Sequence, residues 1–219
     1  MPFDRPLFFK ELGRKAFHVG GCVIPAAYFF FVSREIMLVV LAACVLGAGF
    51  LEYMRLNGRD LYPTTFMRQS EDRRLGSYFY AALSMFLAVL LFDKAIAAAA
   101  ILFLIFGDSI TGLAGAVWFM YVRRKPVDIR NGASGGLLYA VTHPKPFPLM
   151  LLMFAICGVI GLAFRPELSY LAIIAGAVGA VIADGFPWRI AGYMIDDNLS
   201  IPLLAGALMT LATLPGIGY

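Results

Sequence analysis

Apolar runs of membrane-spanning length recur from one end of this sequence to the other, and few folds are open to a chain built that way. A helix needs about 20 apolar residues to cross the hydrocarbon of a bilayer, or about 17 at the short end. Runs that approach or exceed this length stand at 16–32, 36–54, 77–92, 95–121, 169–186 and 200–216. A further run is cut by Pro144, Pro146 and Pro148, which cannot continue an α-helix and disfavour helix in the residue before each. Residues 132–142 and 148–164 therefore read as two pieces of one interrupted span, or as a re-entrant piece followed by a span. A chain that is 61% hydrophobic and 15% charged over 219 residues is not a soluble domain. The expectation is an all-α, polytopic transmembrane bundle of about seven spans, a single membrane domain over 1–219.

The polar segments set the orientation. Residues 1–15 interleave Phe8, Phe9 and Leu12 with Lys10, Arg14 and Lys15, which suits an interfacial segment. The loop at 55–75 carries Arg55, Arg59, Arg68, Arg73 and Arg74; 122–131 carries Arg123, Arg124, Lys125 and Arg130; and 187–199 carries Arg189. The intervening turns hold Arg34, Lys94 and Arg165. The positive-inside rule then places the N-terminus in the cytoplasm and the C-terminus outside. The first span reads as uncleaved. The expected location is integral and multi-pass: the plasma membrane in a prokaryote, the endoplasmic reticulum or a plastid membrane in a eukaryote. Cys22, Cys44 and Cys157 lie inside apolar runs with no pairing or ligand spacing, so they read as small buried hydrophobes. With His18 and His143 alone, a multi-His metal centre is excluded. No internal repeat of the transporter kind is visible, and nothing calls for a nucleic-acid partner.

Within the span at 95–121, Gly107 and Asp108 interrupt the run ILFLIFGDSITGLAG. A carboxylate near the centre of a span costs roughly 2.5–3.5 kcal/mol on insertion scales, so it needs a partner, a wet cavity or a task. The helix is expected to tilt, or to break at Gly107. Were it to restart at Ser109, free N–H groups there would favour an anion. Gly107, Thr111 and Gly115 at intervals of four suit close helix packing; Asp108 is not explained by packing.

Other polar residues gather on the same predicted face. Glu11, Arg14, Lys15 and His18 share one side of a helix entering the membrane. Gly132, Gly135 and Gly136 follow the four bases of 122–131, and a Gly-rich helix start beside bases can cradle phosphate, although no GxxxxGK[ST] pattern is present. Asp196, Asp197 and Asn198 precede the last span. Ser200 or Asn198 can cap that helix, with Pro202 in its first turn; the Asp pair suits metal coordination. Bases that hold phosphates beside carboxylates that hold a divalent ion suit an Mg²⁺–nucleotide.

Four stretches in order, ELGRKAFHVGG (11–21), RQSEDRRLGSYFY (68–80), FGDSITGLAG (106–115) and DDNLSIPLLAG (196–206), resemble the polyprenol kinase family of membrane proteins, which includes dolichol kinase, phytol kinase and the CTP-dependent diacylglycerol kinase. The resemblance implies phosphorylation of a membrane lipid alcohol at the cytoplasmic face, with CTP or another nucleoside triphosphate as donor and Mg²⁺ or another divalent cation. It implies a catalytic set of Asp108, Lys15, Arg14 and His18. A nucleotide set of Gly107, Gly115, Lys125, Arg130, Gly132, Gly135, Gly136 and Asn198 goes with it, and a metal set of Asp108, Asp196 and Asp197. Glu11, Arg68, Glu71 and Asp184 join the polar face, Asp184 standing where the family has a later acidic residue. The sequence departs from the family where Asn131-Gly132 replaces a Lys-Ser/Thr pair and Gly135-Gly136 replaces Gly-Ser. A cytidylyltransferase making a CDP-lipid needs the same kind of cavity. A transporter using Asp108 as an ion site is the non-enzymatic alternative.

Overall fold

The computed structural model describes residues 12–13, 15–16, 18–59, 75–118, 144–190 and 193–214. Among the described residues there are seven helices: α1 (His18–Phe30), α2 (Arg34–Leu56), α3 (Ser77–Leu91), α4 (Lys94–Trp118), α5 (Phe147–Leu162), α6 (Tyr170–Gly185) and α7 (Asp197–Thr213). A two-residue antiparallel ladder, Arg189–Ile190 against Tyr193–Met194, lies between α6 and α7. The fold is all-helical, as expected. Two helices, α2 and α4, are long and apolar enough to cross a membrane; α1, α3, α5 and α6 are apolar but shorter.

The centre of the bundle is α4. After Lys94 its first half, AIAAAAIL, is small or apolar on every side, and a helix apolar all round is one that neighbours can surround. Ala97, Ala98, Ala99, Ala100, Ile101, Phe103, Leu104 and Ile105 are accordingly out of contact with the surroundings. By contrast, α2 lies at the edge and exposes Ile36, Val39, Leu46 and Phe50.

Of the alternatives for this long helix, a tilt or a break or kink at Gly107, the full break does not occur, and a π-helical turn stands there instead. Lys94–Leu102 passes through a π-helical turn, Phe103–Asp108, into Ser109–Trp118 without interruption. The Ser109 N–H is bonded to the Phe106 carbonyl, so no helix restarts there and no free N–H is left for an anion. What the glycines do is let α5 in. A Cβ on Gly107 would stand 2.6 Å from Met153 Sδ, and one on Gly115 3.5 Å from Leu149 Cδ1. Thr111 Oγ1 is spent within the helix, donating to the Gly107 carbonyl at 2.7 Å.

The tightest pairing is α6 with α7. A Cβ on Gly179 would meet the Leu204 carbonyl oxygen at 2.9 Å and Ala205 Cα at 3.0 Å, so here backbone lies on backbone, the close approach that small residues allow. Gly206 admits the ring of Phe92 from the end of α3 in the same way.

The two ends of the bundle differ. At one, short turns join α1 to α2, α3 to α4 and α5 to α6, and their cations have local partners. Arg34 donates to the carbonyls of Val89 and Leu90 at the end of α3, a favourable place for a cation. Lys94 lies over the Tyr28 ring at 5.4 Å, and Arg165 over Tyr170 at 4.3 Å. At the other end, Glu52 and Arg55 turn inward. Glu52 is 1% exposed and accepts from Arg55 Nη2 at 2.7 Å, the Gly76 N–H at 3.0 Å and the Tyr78 hydroxyl. That node ties the end of α2 to the start of α3.

Candidate functional site: three carboxylates and two lysines

Three helices bring one carboxylate each to the same place. At the helical rise of 1.5 Å per residue, Asp108 stands about 21 Å along α4 from Lys94, and Asp184 about 21 Å along α6 from Tyr170. Asp197 opens α7, which runs the other way. One oxygen from each of Asp108, Asp184 and Asp197 lies within 4.8 Å of the other two. The apparent mid-span position of Asp108 is thereby resolved. Its helix is long and projects about 15 Å past it, while its neighbours end at its level, so the carboxylate sits where α6 stops and α7 starts.

Two lysines meet this cluster. Lys15, just before α1, places Nζ 2.5 Å from Asp108 Oδ2 and 3.0 Å from the Asp108 carbonyl oxygen. It lies across Gly112, where a Cβ would come within 2.9 Å of Lys15 Cε and 3.0 Å of Nζ; glycine at that position is what gives the lysine its path. Lys145 places Nζ 2.6 Å from Asp184 Oδ1, and its backbone N–H donates to the Gly185 carbonyl at 2.8 Å. Burial works against the Lys145 charge, but Asp184, Asp197 and Asp108 outweigh it and raise its pKa above the ordinary lysine value; it stays protonated at neutral pH. Among the described residues, three carboxylates face two lysine ammonium groups in the cluster.

Asp196, expected to hold metal with Asp197, stands outside the three-carboxylate group and caps a helix. It is the N-cap of α7, its Oδ1 accepting from the Asn198 N–H at 3.0 Å and from Asn198 Nδ2 at 2.7 Å. The helix thus begins three residues before the expected Ser200, and Pro202 falls inside it. The cap geometry turns this carboxylate back on its own helix, and Asp184 takes the third place in the cluster. Asn198 is buried, and its Oδ1 has no hydrogen-bond partner among the described residues; the same holds for Ser109 Oγ, beside Asp108.

These donors fit a hard divalent cation. Oxygen ligands at about 2.0–2.1 Å from Mg²⁺ are up to about 4.2 Å apart, and about 5 Å apart around Ca²⁺. The spacing within the cluster is of that order, so small side-chain movements suffice. Asp108, Asp184 and Asp197 would hold the ion, with the Asn198 amide oxygen and the Ser109 hydroxyl as unspent acceptors next to them in sequence.

His18 is half-buried, one helical turn beyond Lys15. Gly107 and Gly115, expected at the nucleotide, instead face α5. Glu11, Arg14, Arg68, Glu71, Lys125, Arg130, Gly132, Gly135 and Gly136 lie outside the described residues. Lys145 was not singled out by sequence. It sits in THPKPFP, whose prolines dominate any reading, although a lysine directly before an apolar helix is itself a signal. No protein-family model, curated protein or solved structure matches the chain.

Proposed function

We propose that the chain is a multi-pass membrane enzyme that phosphorylates a lipid alcohol at its cytoplasmic face, a kinase of the polyprenol kinase type using CTP or another nucleoside triphosphate with Mg²⁺. The observation that carries this reading is the cluster itself: three carboxylates within 4.8 Å of one another with two lysines bound to them. That combination matches what a metal-bound triphosphate requires. Membrane integration is supported by the apolar side chains exposed around α2, α5 and α6. It is supported too by α1, α3, α5 and α6, apolar helices about 20–25 Å long, a length that a bilayer accommodates by local thinning.

A divalent cation held by Asp108, Asp184 and Asp197 would neutralise phosphate charge. The chain's own residues do the rest. Lys15 and Lys145 exchange their carboxylate partners for phosphate oxygens and hold the triphosphate. Lys145 supplies the cation that the Asn131-Gly132 departure removes from the family pattern. The lipid hydroxyl oxygen forms a bond to the terminal phosphorus as the bond from that phosphorus to the bridging oxygen breaks. The alcohol's proton passes to a carboxylate of the cluster, and the nucleoside diphosphate leaves. Positioning and charge stabilisation are most of the work in such a transfer.

The test is purified protein in detergent with CTP or ATP, Mg²⁺ and a panel of prenols, diacylglycerol and lipid phosphates, read by mass spectrometry. A phosphorylated alcohol with a nucleoside diphosphate is the expected result. A CDP-lipid with pyrophosphate would assign a cytidylyltransferase instead, and no turnover with any donor would leave Asp108 to an ion pathway.

A further inference from the structure

A groove of about 210 Å³ runs between α5 and α6, walled by Phe147, Met150, Leu151 and Phe154 on one side and by Val178 and Ile182 on the other. Its lining is apolar throughout, and its mouth opens sideways: Phe147 is 74% and Leu151 55% exposed. At one end of the groove, Met150 packs on Gly185, the residue after Asp184. A Cβ on Gly185 would meet Met150 Cε at 2.9 Å. The Gly185 carbonyl accepts the backbone N–H of Lys145. The glycine at this end of the trough is therefore one residue in sequence from the Lys145–Asp184 ion pair.

We propose that this groove holds the hydrocarbon chain of the alcohol substrate, and that Met150 and Gly185 mark where its hydroxyl turns in to Asp184. The assignment rests on the lipid-kinase reading and names the place where its substrate binds. The fit is chemical: a molecule apolar along its length and polar at its end matches a groove without polar walls whose Met150 end packs on Gly185, beside Asp184 in sequence. A soluble polar ligand finds no hydrogen-bond partner along it. A helix of another chain, about 10 Å across with its side chains, is too wide to enter a groove of this volume. Glycine at 185 keeps Met150 withdrawn; a larger residue there would push the thioether into the trough and close that end.

The experiment uses the full-length protein in detergent and long-chain alcohols carrying a photoreactive diazirine at mid-chain, with labelled peptides mapped by mass spectrometry. The same chain ending in a methyl group, and one ending in phosphocholine, serve as controls. Labelling is expected within residues 150–154 and 178–182, about tenfold or more weaker with either control. Val178→Trp and, on the opposite wall, Leu151→Trp should each abolish that labelling and raise KM for a long-chain alcohol about tenfold or more. KM for the nucleotide should not move. Thermal unfolding of both variants identifies either one that has lost its fold, leaving the other to decide. Labelling elsewhere, equal labelling by the hydroxyl-free chain, cross-links between two copies through α5, or an unchanged KM in a folded variant would each overturn the proposal. The two readings fail separately. Groove labelling without phosphoryl transfer to any alcohol removes the kinase but keeps the alcohol site; phosphoryl transfer indifferent to both tryptophans removes the groove but keeps the kinase.

Discussion

Lys15 and Asp108 meet with their side chains 3% and 8% exposed, which makes each the other's main compensation for leaving water. Breaking such a pair from one side leaves a buried charge and costs about 3–5 kcal/mol, whereas removing both partners together costs less. A double-mutant cycle with Asp108→Asn and Lys15→Met should therefore show a coupling of about 1–3 kcal/mol in thermal or denaturant unfolding. Both single variants should lose turnover by at least about 10²-fold, and the double variant should recover stability without recovering activity. Full activity in Asp108→Asn would make the residue structural. Gly112→Ala is the gentler probe. Its Cβ would displace only the end of Lys15, so kcat/KM should fall on the order of 10–100-fold while the unfolding midpoint barely moves. For the cation, Mn²⁺ binding followed by electron paramagnetic resonance should weaken in Asp184→Asn and Asp197→Asn. It should persist in Asp196→Asn, since asparagine caps a helix about as well as aspartate. Two members of the cluster could be read from sequence alone, because a carboxylate inside an apolar run and an acidic pair before one are costly and conspicuous. Asp184 entered only through a family likeness. The separation of Asp196 from Asp197 depends on which of two adjacent carboxylates turns back to cap α7, and that is decided by backbone angles that residue types do not encode.

At the scale of helices, α6 and α7 hold two of the carboxylates in register through glycines. Gly179→Ala would press a methyl group into the backbone of α7, where neither Leu204 nor Ala205 can give way cheaply. It should destabilise the protein by about 1–3 kcal/mol and weaken Mn²⁺ binding with it, by moving Asp184 away from Asp197. Gly158→Ala on α5, with nothing within 4 Å of the added atom, should instead be neutral or stabilising by up to about 1 kcal/mol. If both substitutions behaved alike in thermal unfolding, the backbone contact would not be what fixes the spacing. Among the described residues the helices fall close to the apolar runs 16–32, 36–54, 77–92, 95–121, 148–164, 169–186 and 200–216, because hydropathy marks length and ends well; the piece expected at 132–142 lies outside the described residues. Periodicity could not foresee the π turn at Phe103–Asp108, since a shifted backbone bond leaves the apolar pattern of FLIF unchanged. Nor did it distinguish a glycine that lets a helix approach from one that breaks its own.

For the molecule as a whole, the orientation proposed from the charge of its polar segments is open to direct test. In a background with Cys22, Cys44 and Cys157 replaced by alanine, Glu167→Cys in the turn after α5 should react with a membrane-impermeant maleimide on intact cells. Asn57→Cys after α2 should react only after lysis. The reverse pattern would put the carboxylate cluster outside the cell and away from nucleotide, which would sink the kinase reading. The same arrangement bears on how the protein is made. Chains emerge from the ribosome N-terminus first, so Lys15 has been synthesised long before Asp108 arrives. On the proposed membrane reading, the helix with the most burdensome charge inserts with its counter-ion already made. A chain trimmed past Lys15 would have to lodge α4 without it, and its defect should appear as failed insertion and degradation of the newborn protein before any loss of catalysis could be measured.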